Sequence, residues 1–173
     1  MKKNNIKEII ENLIDTFLYA GKISIELRKK GLKKKIKSDD TPVTNGDLEV
    51  NRIITEKINQ LTPNIPIVSE ETSDNKSNTD LNDFWLIDPI DGTYDYINDL
   101  EEFTINAGLI INKEAVAGLI YAPAKKRMFY SYGKQLSFEL INKKSFKLDC
   151  TKNFNKDEIK FVTYSNKIKP EIE

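Results

Sequence analysis

The chain has 173 residues, 39% of them apolar and 31% charged, which fits one domain of usual size and is globular rather than disordered. It contains no histidine and a single cysteine, Cys150, so an intrachain disulfide, a thiolate metal cluster and the commonest general base and zinc ligand are all excluded. Formal net charge is zero, yet residues 1–37 carry 11 Lys+Arg against 4 Asp+Glu, residues 38–102 carry 3 against 16, and residues 103–173 carry 13 against 7. A block of acids that also contains apolar strand patterns is expected to fold, and a folded acidic cluster without histidine suits a hard cation such as Mg2+.

In chain order, Ile6, Ile9, Ile10, Leu13, Ile14, Phe17 and Leu18 recur at helical spacing and predict one face of a first helix. The N-terminus leads into this amphipathic pattern rather than a secretory apolar core, and no apolar run approaches the roughly 20 residues that span a bilayer. The expected location is the cytoplasm. The pattern weakens into Arg28 to Lys37, with seven basic residues in ten, which reads as a mobile, solvated turn that draws anionic substrates. With no aromatic interleaved, no specific nucleic-acid binding is expected; peripheral contact with the inner face of the cell membrane is the other reading of this run.

The turn-rich stretch Ser38 to Asp47 precedes a second helical pattern of Leu48, Val50, Ile53, Ile54, Ile58 and Leu61, with Asp47 expected as its N-terminal cap. Ile65 to Thr72 is a short apolar strand ending in Glu70 and Glu71. Strand alternation predicts that only one of these two acids points into a given pocket. Residues 73–83 are polar without period and predict an exposed loop.

Phe84 to Ile87 predicts a buried strand that ends at Pro89, followed by a turn carrying Asp88 and Asp91. Gly92 would let the backbone approach a ligand, and Thr93 would cap a turn of helix over 94–97 whose free N–H groups face an anion. A bare D-x-x-D equally suits an ordinary strand-to-helix turn in which Asp88 caps and Asp91 is solvated. Downstream, runs at 102–111, 114–121 and 127–131 predict an antiparallel meander turning at Asn112-Lys113 and over 122–126. Short runs at 136–140 and 145–148 extend it, and Phe161 to Tyr164 begins a further strand.

The full string D-P-I-D-G-T over residues 88–93 resembles the signature of the inositol monophosphatase superfamily, the magnesium-dependent, lithium-sensitive phosphatases. Ser69-Glu70-Glu71 is similar to its G/S-E-E segment. Residues 41–47, Glu102-Phe-Thr-Ile-Asn106 and Tyr121-Ala-Pro123 resemble more narrowly the CysQ-type 3'(2'),5'-bisphosphate nucleotidases, and most of residues 36–173 is covered. The resemblance implies an α+β fold, the N-terminal part of a layered αβαβα sugar-phosphatase architecture with two helices packed on a mainly antiparallel sheet. It divides the chain into a metal-binding domain over 1–160 and the start of a truncated α/β domain over 161–173.

By the same resemblance, Glu70, Asp88 and the Ile90 carbonyl hold one Mg2+, Asp88 bridges to a second that Asp91 also binds, and Asp47 with Glu70 serves a third. Thr93, held by Asp47, orients the attacking water, Asp91, Gly92 and Thr93 receive the substrate, and Glu71 supports the ligands from behind. The implied substrate is adenosine 3',5'-bisphosphate, with an inositol phosphate as the alternative, and Li+ is the implied inhibitor. The superfamily's later W-D-x-A motif, whose aspartate completes the second metal site, is absent from the sequence. Three expectations follow: a separately encoded C-terminal half as partner, weak activity alone, or a product that only binds metal. Tyr94-Asp95-Tyr96 replaces a K-E-F of the CysQ type, a departure that bears on nucleotide preference.

Overall fold

The computed structural model describes residues 3–37, 40–72 and 80–149. Two helices, α1 (Lys3–Lys30) and α2 (Asn45–Leu61), pack on one face of a seven-stranded sheet in an α+β arrangement. The strands are β3 (Ile67–Ser69), β4 (Phe84–Asp91), β5 (Thr104–Ile111), β6 (Glu114–Ala122), β7 (Arg127–Tyr132), β8 (Ser137–Ile141) and β9 (Lys144–Lys147), in that spatial order. Among the described residues only β3 and β4 run parallel, and every other pair is antiparallel. A short hairpin of β1 (Lys34–Ile36) and β2 (Pro42–Thr44) precedes α2, and α3 (Thr93–Ile97) follows β4.

The predicted meander is present because its turns carry residues that tolerate a left-handed backbone. Asn112 and Lys113 have φ of 52° and 63°, and Asn142 and Lys143 repeat the pattern at 49° and 64°, the paired positive values of a two-residue hairpin turn. The predicted strand at 161–164, and with it the division into domains at residue 160, lies outside the described residues, as does most of the predicted loop at 73–83.

Alternation along the strands sends Trp85, Ile87, Ile105, Leu109, Leu119 and Tyr121 toward the helices, where they meet Ile10, Leu13, Phe17, Val50, Ile54 and Ile58 in one core. The opposite face of the sheet is more open. Leu86, Ile120 and Phe146 remain about half exposed there, beside the small residues Gly108, Gly118 and Ser131 of an open cleft.

Two boundaries differ from the sequence expectation. Helix α1 continues to Lys30, so the basic run is not a mobile turn: Arg28, Lys29 and Lys30 form the last helical turn, and Lys34 and Lys35 stand in β1. The apolar pattern fades after Leu18 because the inward positions become small or polar, Ala20 and Ser24, both fully buried. Strand β4 also runs through Pro89. Its neighbour β3 pairs only as far as Ser69 with Ile87, and the register with β5 shifts between Asp88 and Asp91, so no ladder requires an N–H from Pro89. No helix among the described residues is long and apolar enough to cross a membrane.

The only tryptophan, Trp85, is fully buried, and its indole N–H donates to Thr62 Oγ1 at 3.0 Å at the C-terminal end of α2. Replacing Thr62 by Val keeps the shape and strands that N–H. The expected loss is about 1–3 kcal/mol of unfolding free energy, measured by urea denaturation with Trp85 fluorescence as the probe; an unchanged midpoint would show the bond to be dispensable.

Candidate metal and phosphate site

The acids predicted from the sequence are delivered by three different elements. Asp47 comes from the first turn of α2, Glu70 and Glu71 from the turn after β3, and Asp88 and Asp91 from the end of β4. The parallel pairing of β3 with β4 brings the last two groups together, since Glu70 N donates to Ile87 O at 3.1 Å, next to Asp88.

Asp47 does not cap α2. Thr44 is the cap: its hydroxyl accepts from Gly46 N at 3.0 Å and Asp47 N at 3.4 Å, while Asp47 Oδ2 accepts from Thr44 N at 2.8 Å. This reciprocal pairing is a capping box, and it fixes the Asp47 carboxylate although the residue is almost fully buried. Burial pushes its pKa up, and the bonds from Thr44 only partly oppose that. Its other oxygen, Oδ1, faces Thr93 Oγ1 at 3.4 Å.

Thr93 does not act as a cap either. Gly92 occupies the cap position of α3 with φ of 90°, a left-handed backbone, and a Cβ there would come within 2.6 Å of Glu102 O. Thr93 Oγ1 instead lies 3.0 Å from Ile90 O, between that carbonyl and Asp47. Helix α3 is held by Tyr96, which is buried and donates to Ser24 O of α1 at 2.7 Å. Gly46 makes room for it: a Cβ at 46 would sit 2.3 Å from the Tyr96 hydroxyl. Arg28 adds a second tie, with Nη1 donating to Leu100 O at 2.7 Å and its guanidinium over the rings of Tyr96 and Phe103.

Asp88 is the electrostatic centre. Burial and then the charges of Glu70, Asp91 and Asp47 push its pKa from 3.8 to about 7. One of its oxygens, Oδ1, is buried without a hydrogen-bond partner, as is Oδ1 of Asn106, its cross-strand neighbour on β5. Asn106 Nδ2 donates to Asp91 Oδ2 at 3.2 Å. Asp91, Gly92 and Tyr94 line an open cleft of about 600 Å3 with Glu102, Phe103 and Lys125.

Glu70 and Glu71 do not point to opposite sides. Both reach one ammonium, Lys37 Nζ, at 3.1 and 2.8 Å. Strand alternation fails here because β3 ends at Ser69 and the two acids occupy a turn. Lys37 and Asn106 are the residues that sequence reasoning passed over. Asn106 had a signal, as the asparagine that closes the Glu102-Phe-Thr-Ile-Asn106 segment; Lys37 had none beyond its place at the end of a basic run.

Every acid of the cluster is engaged by the protein itself: Asp47 with Thr44, Asp91 with Asn106, Glu70 and Glu71 with Lys37, and Asp88 with Glu70. Accordingly, among the described residues no three of them are already disposed as a metal cage. The donor set nevertheless fits a hard cation. It is all oxygen, it includes a buried carboxylate oxygen with no partner, and its mutual repulsion is what a divalent ion relieves.

The sequence profile of the inositol monophosphatase family matches residues 5–166. The 3'(2'),5'-bisphosphate nucleotidase CysQ of Salmonella typhimurium is 41% identical over 96 residues, 55% of this chain and 39% of that protein. CysQ of Haemophilus influenzae is 34% identical over 114 residues, 65% of this chain and 42% of that protein. The crystal structure of CysQ from Bacteroides thetaiotaomicron superposes with a TM-score of 0.56 and 28% identity, over 75% of this chain and 48% of that one. The chain thus spans less than half the length of these relatives. Since the matched profile runs from within α1 through the acidic turns and the whole meander, the chain belongs to the inositol monophosphatase family.

Proposed function

We propose that this chain carries the metal-binding half of a Mg2+-dependent phosphomonoesterase of the CysQ type, acting on adenosine 3',5'-bisphosphate to give AMP and phosphate. The observation that supports it best is the partnerless oxygen of Asp88, crowded by Glu70, Asp91 and Asp47 and two residues upstream of the Ile90 carbonyl that Thr93 touches. Glu70, Asp88, Asp91 and the Ile90 carbonyl would hold the ions, with Asp47 and Glu70 at a third position and Glu71 behind them. The ions supply charge neutralisation for the attacking, transferring and leaving oxygens of the ester.

The chain's own groups do the rest. Asp47, fixed by the capping box, holds the Thr93 hydroxyl, whose lone pair accepts from a water and turns that water's own lone pair toward phosphorus. The backbone of Gly92 and Thr93, placed by the left-handed turn and by the Tyr96 anchor, receives the phosphoryl oxygens. The aspartate of a W-D-x-A motif would come from a C-terminal α/β half, which we propose as the partner. Inositol phosphate hydrolysis is the competing activity; the CysQ-like wording at residues 41–47, 102–106 and 121–123 supports the nucleotide.

Phosphate release from adenosine 3',5'-bisphosphate and from inositol 1-phosphate, assayed with the C-terminal half supplied, tests the substrate. The nucleotide is expected to be preferred, with Mg2+ required and Li+ inhibitory. Asp88→Asn is expected to lower release by about 100-fold or more, the scale on which loss of a charge-stabilising group acts. Full activity in Asp88→Asn would remove the site assignment, and Mg2+ uptake without turnover would leave metal binding as the whole function.

The raised pKa of Asp88 has a sign that stability measurements detect. The folded state binds this proton more tightly than the unfolded chain, so the metal-free protein is favoured below pH about 4 and loses that contribution as pH rises to about 7. Asp47 and Glu71, also raised by burial, act in the same direction. In chelator, the urea midpoint is therefore expected to fall across this window, and Asp88→Asn to make the fall shallower. A slope unaffected by the substitution would show that Asp88 does not titrate there.

A further inference from the structure

We infer that Lys37 is a built-in placeholder cation, bridging Glu70 and Glu71 when no divalent ion is present and competing with that ion for Glu70. This rests on the metal site proposed above and adds to it a residue of opposite charge. Lys37 Nζ lies 2.8 Å from Glu71 Oε1 and 3.1 Å from Glu70 Oε1. It is placed there by the fold: Lys37 directly follows β1, its N–H donates to Thr41 O at 2.8 Å, and Asp40 N donates to its carbonyl at 3.1 Å. The β1–β2 hairpin that closes on these bonds leads straight into Thr44 and Asp47. One connection therefore sets both an acid of the cluster and the cation that faces it.

The two bonds are unequal. Glu71 has a side chain only 5% exposed and makes the shorter contact, whereas Glu70 is 42% exposed and makes the longer one. Releasing Glu71 would strand a buried carboxylate; Glu70, already 42% exposed, would keep its contact with Asp88. Lysine reaches both through a flexible four-carbon stem, so it can keep Glu71 and give up Glu70 by a rotation of its own side chain. A divalent ion on Glu70 would repel an ammonium held about 3 Å from the same oxygen. Lys37–Glu70 is accordingly the contact that exchanges when the ion arrives, and Lys37–Glu71 the one that remains. The lysine lowers the affinity for the ion and supports the fold in its absence.

Isothermal titration with Mg2+ and thermal unfolding in chelator, on wild type, Lys37→Met, Lys37→Gln and Lys37→Arg, test this without any turnover. Lys37→Met is expected to bind Mg2+ about tenfold more tightly, to melt lower in chelator, and to gain more from added Mg2+ than wild type does. Lys37→Gln should follow it if the methionine variant folds poorly, and Lys37→Arg should stay near wild type. Equal or weaker Mg2+ binding by the neutral variants, with wild type binding and Asp88→Asn not, would overturn the role of Lys37 and leave the metal site standing. Absence of Mg2+ uptake in every variant would overturn both.

Discussion

The site depends on like charges forced together by backbone geometry. The parallel pairing of β3 with β4 and the capping box of α2 fix three segments so that Asp47, Glu70, Asp88 and Asp91 repel one another in partly buried surroundings. Such crowding opposes folding unless something answers it. The described residues supply three answers: hydrogen bonds from Thr44 and Asn106, an ammonium from Lys37, and a carboxyl, Asp88, that holds a proton up to about pH 7. A divalent ion offers the same relief in a more concentrated form, and this connects the unusual electrostatics to the proposed phosphatase function.

The layout separates rigidity from exchange. The core, from Phe17 and Ile54 to Trp85 and Leu109, is sealed and apolar, and it fixes the strand ends on which the acids sit. Helix α3 is tied to α1 through Tyr96 and Arg28, so the backbone at Gly92 and Thr93 is positioned by packing. Glu70, with a side chain 42% exposed, lies at the rim of this cluster, paired with Lys37.

What the sequence revealed was local. An apolar run closed by Asp-Pro-Ile-Asp-Gly-Thr identifies a strand delivering carboxylates to a turn, and Asn112-Lys113 marks a hairpin, because in both cases the deciding interactions lie within a few residues. What it concealed was long-range. Pro89 stays in a strand because β3, twenty residues earlier, has already stopped. Glu70 and Glu71 share one side because their strand ends at Ser69, before the first of them, and Lys37 meets them across 33 and 34 positions. Helix α1 loses its apolar rhythm at Ser24, a fully buried serine whose hydroxyl donates back to Gly21 O while its backbone carbonyl accepts from Tyr96.

The capping box gives Asp47 two duties at once. The carboxylate that faces Thr93 is also the group that closes the first turn of α2, so its direction is set when the helix forms and before any ligand is present. An anion already aimed loses little rotational freedom on meeting its partner, which favours association without adding a single contact. The same economy makes position 47 intolerant of change, since helix initiation and ligand orientation would fail together.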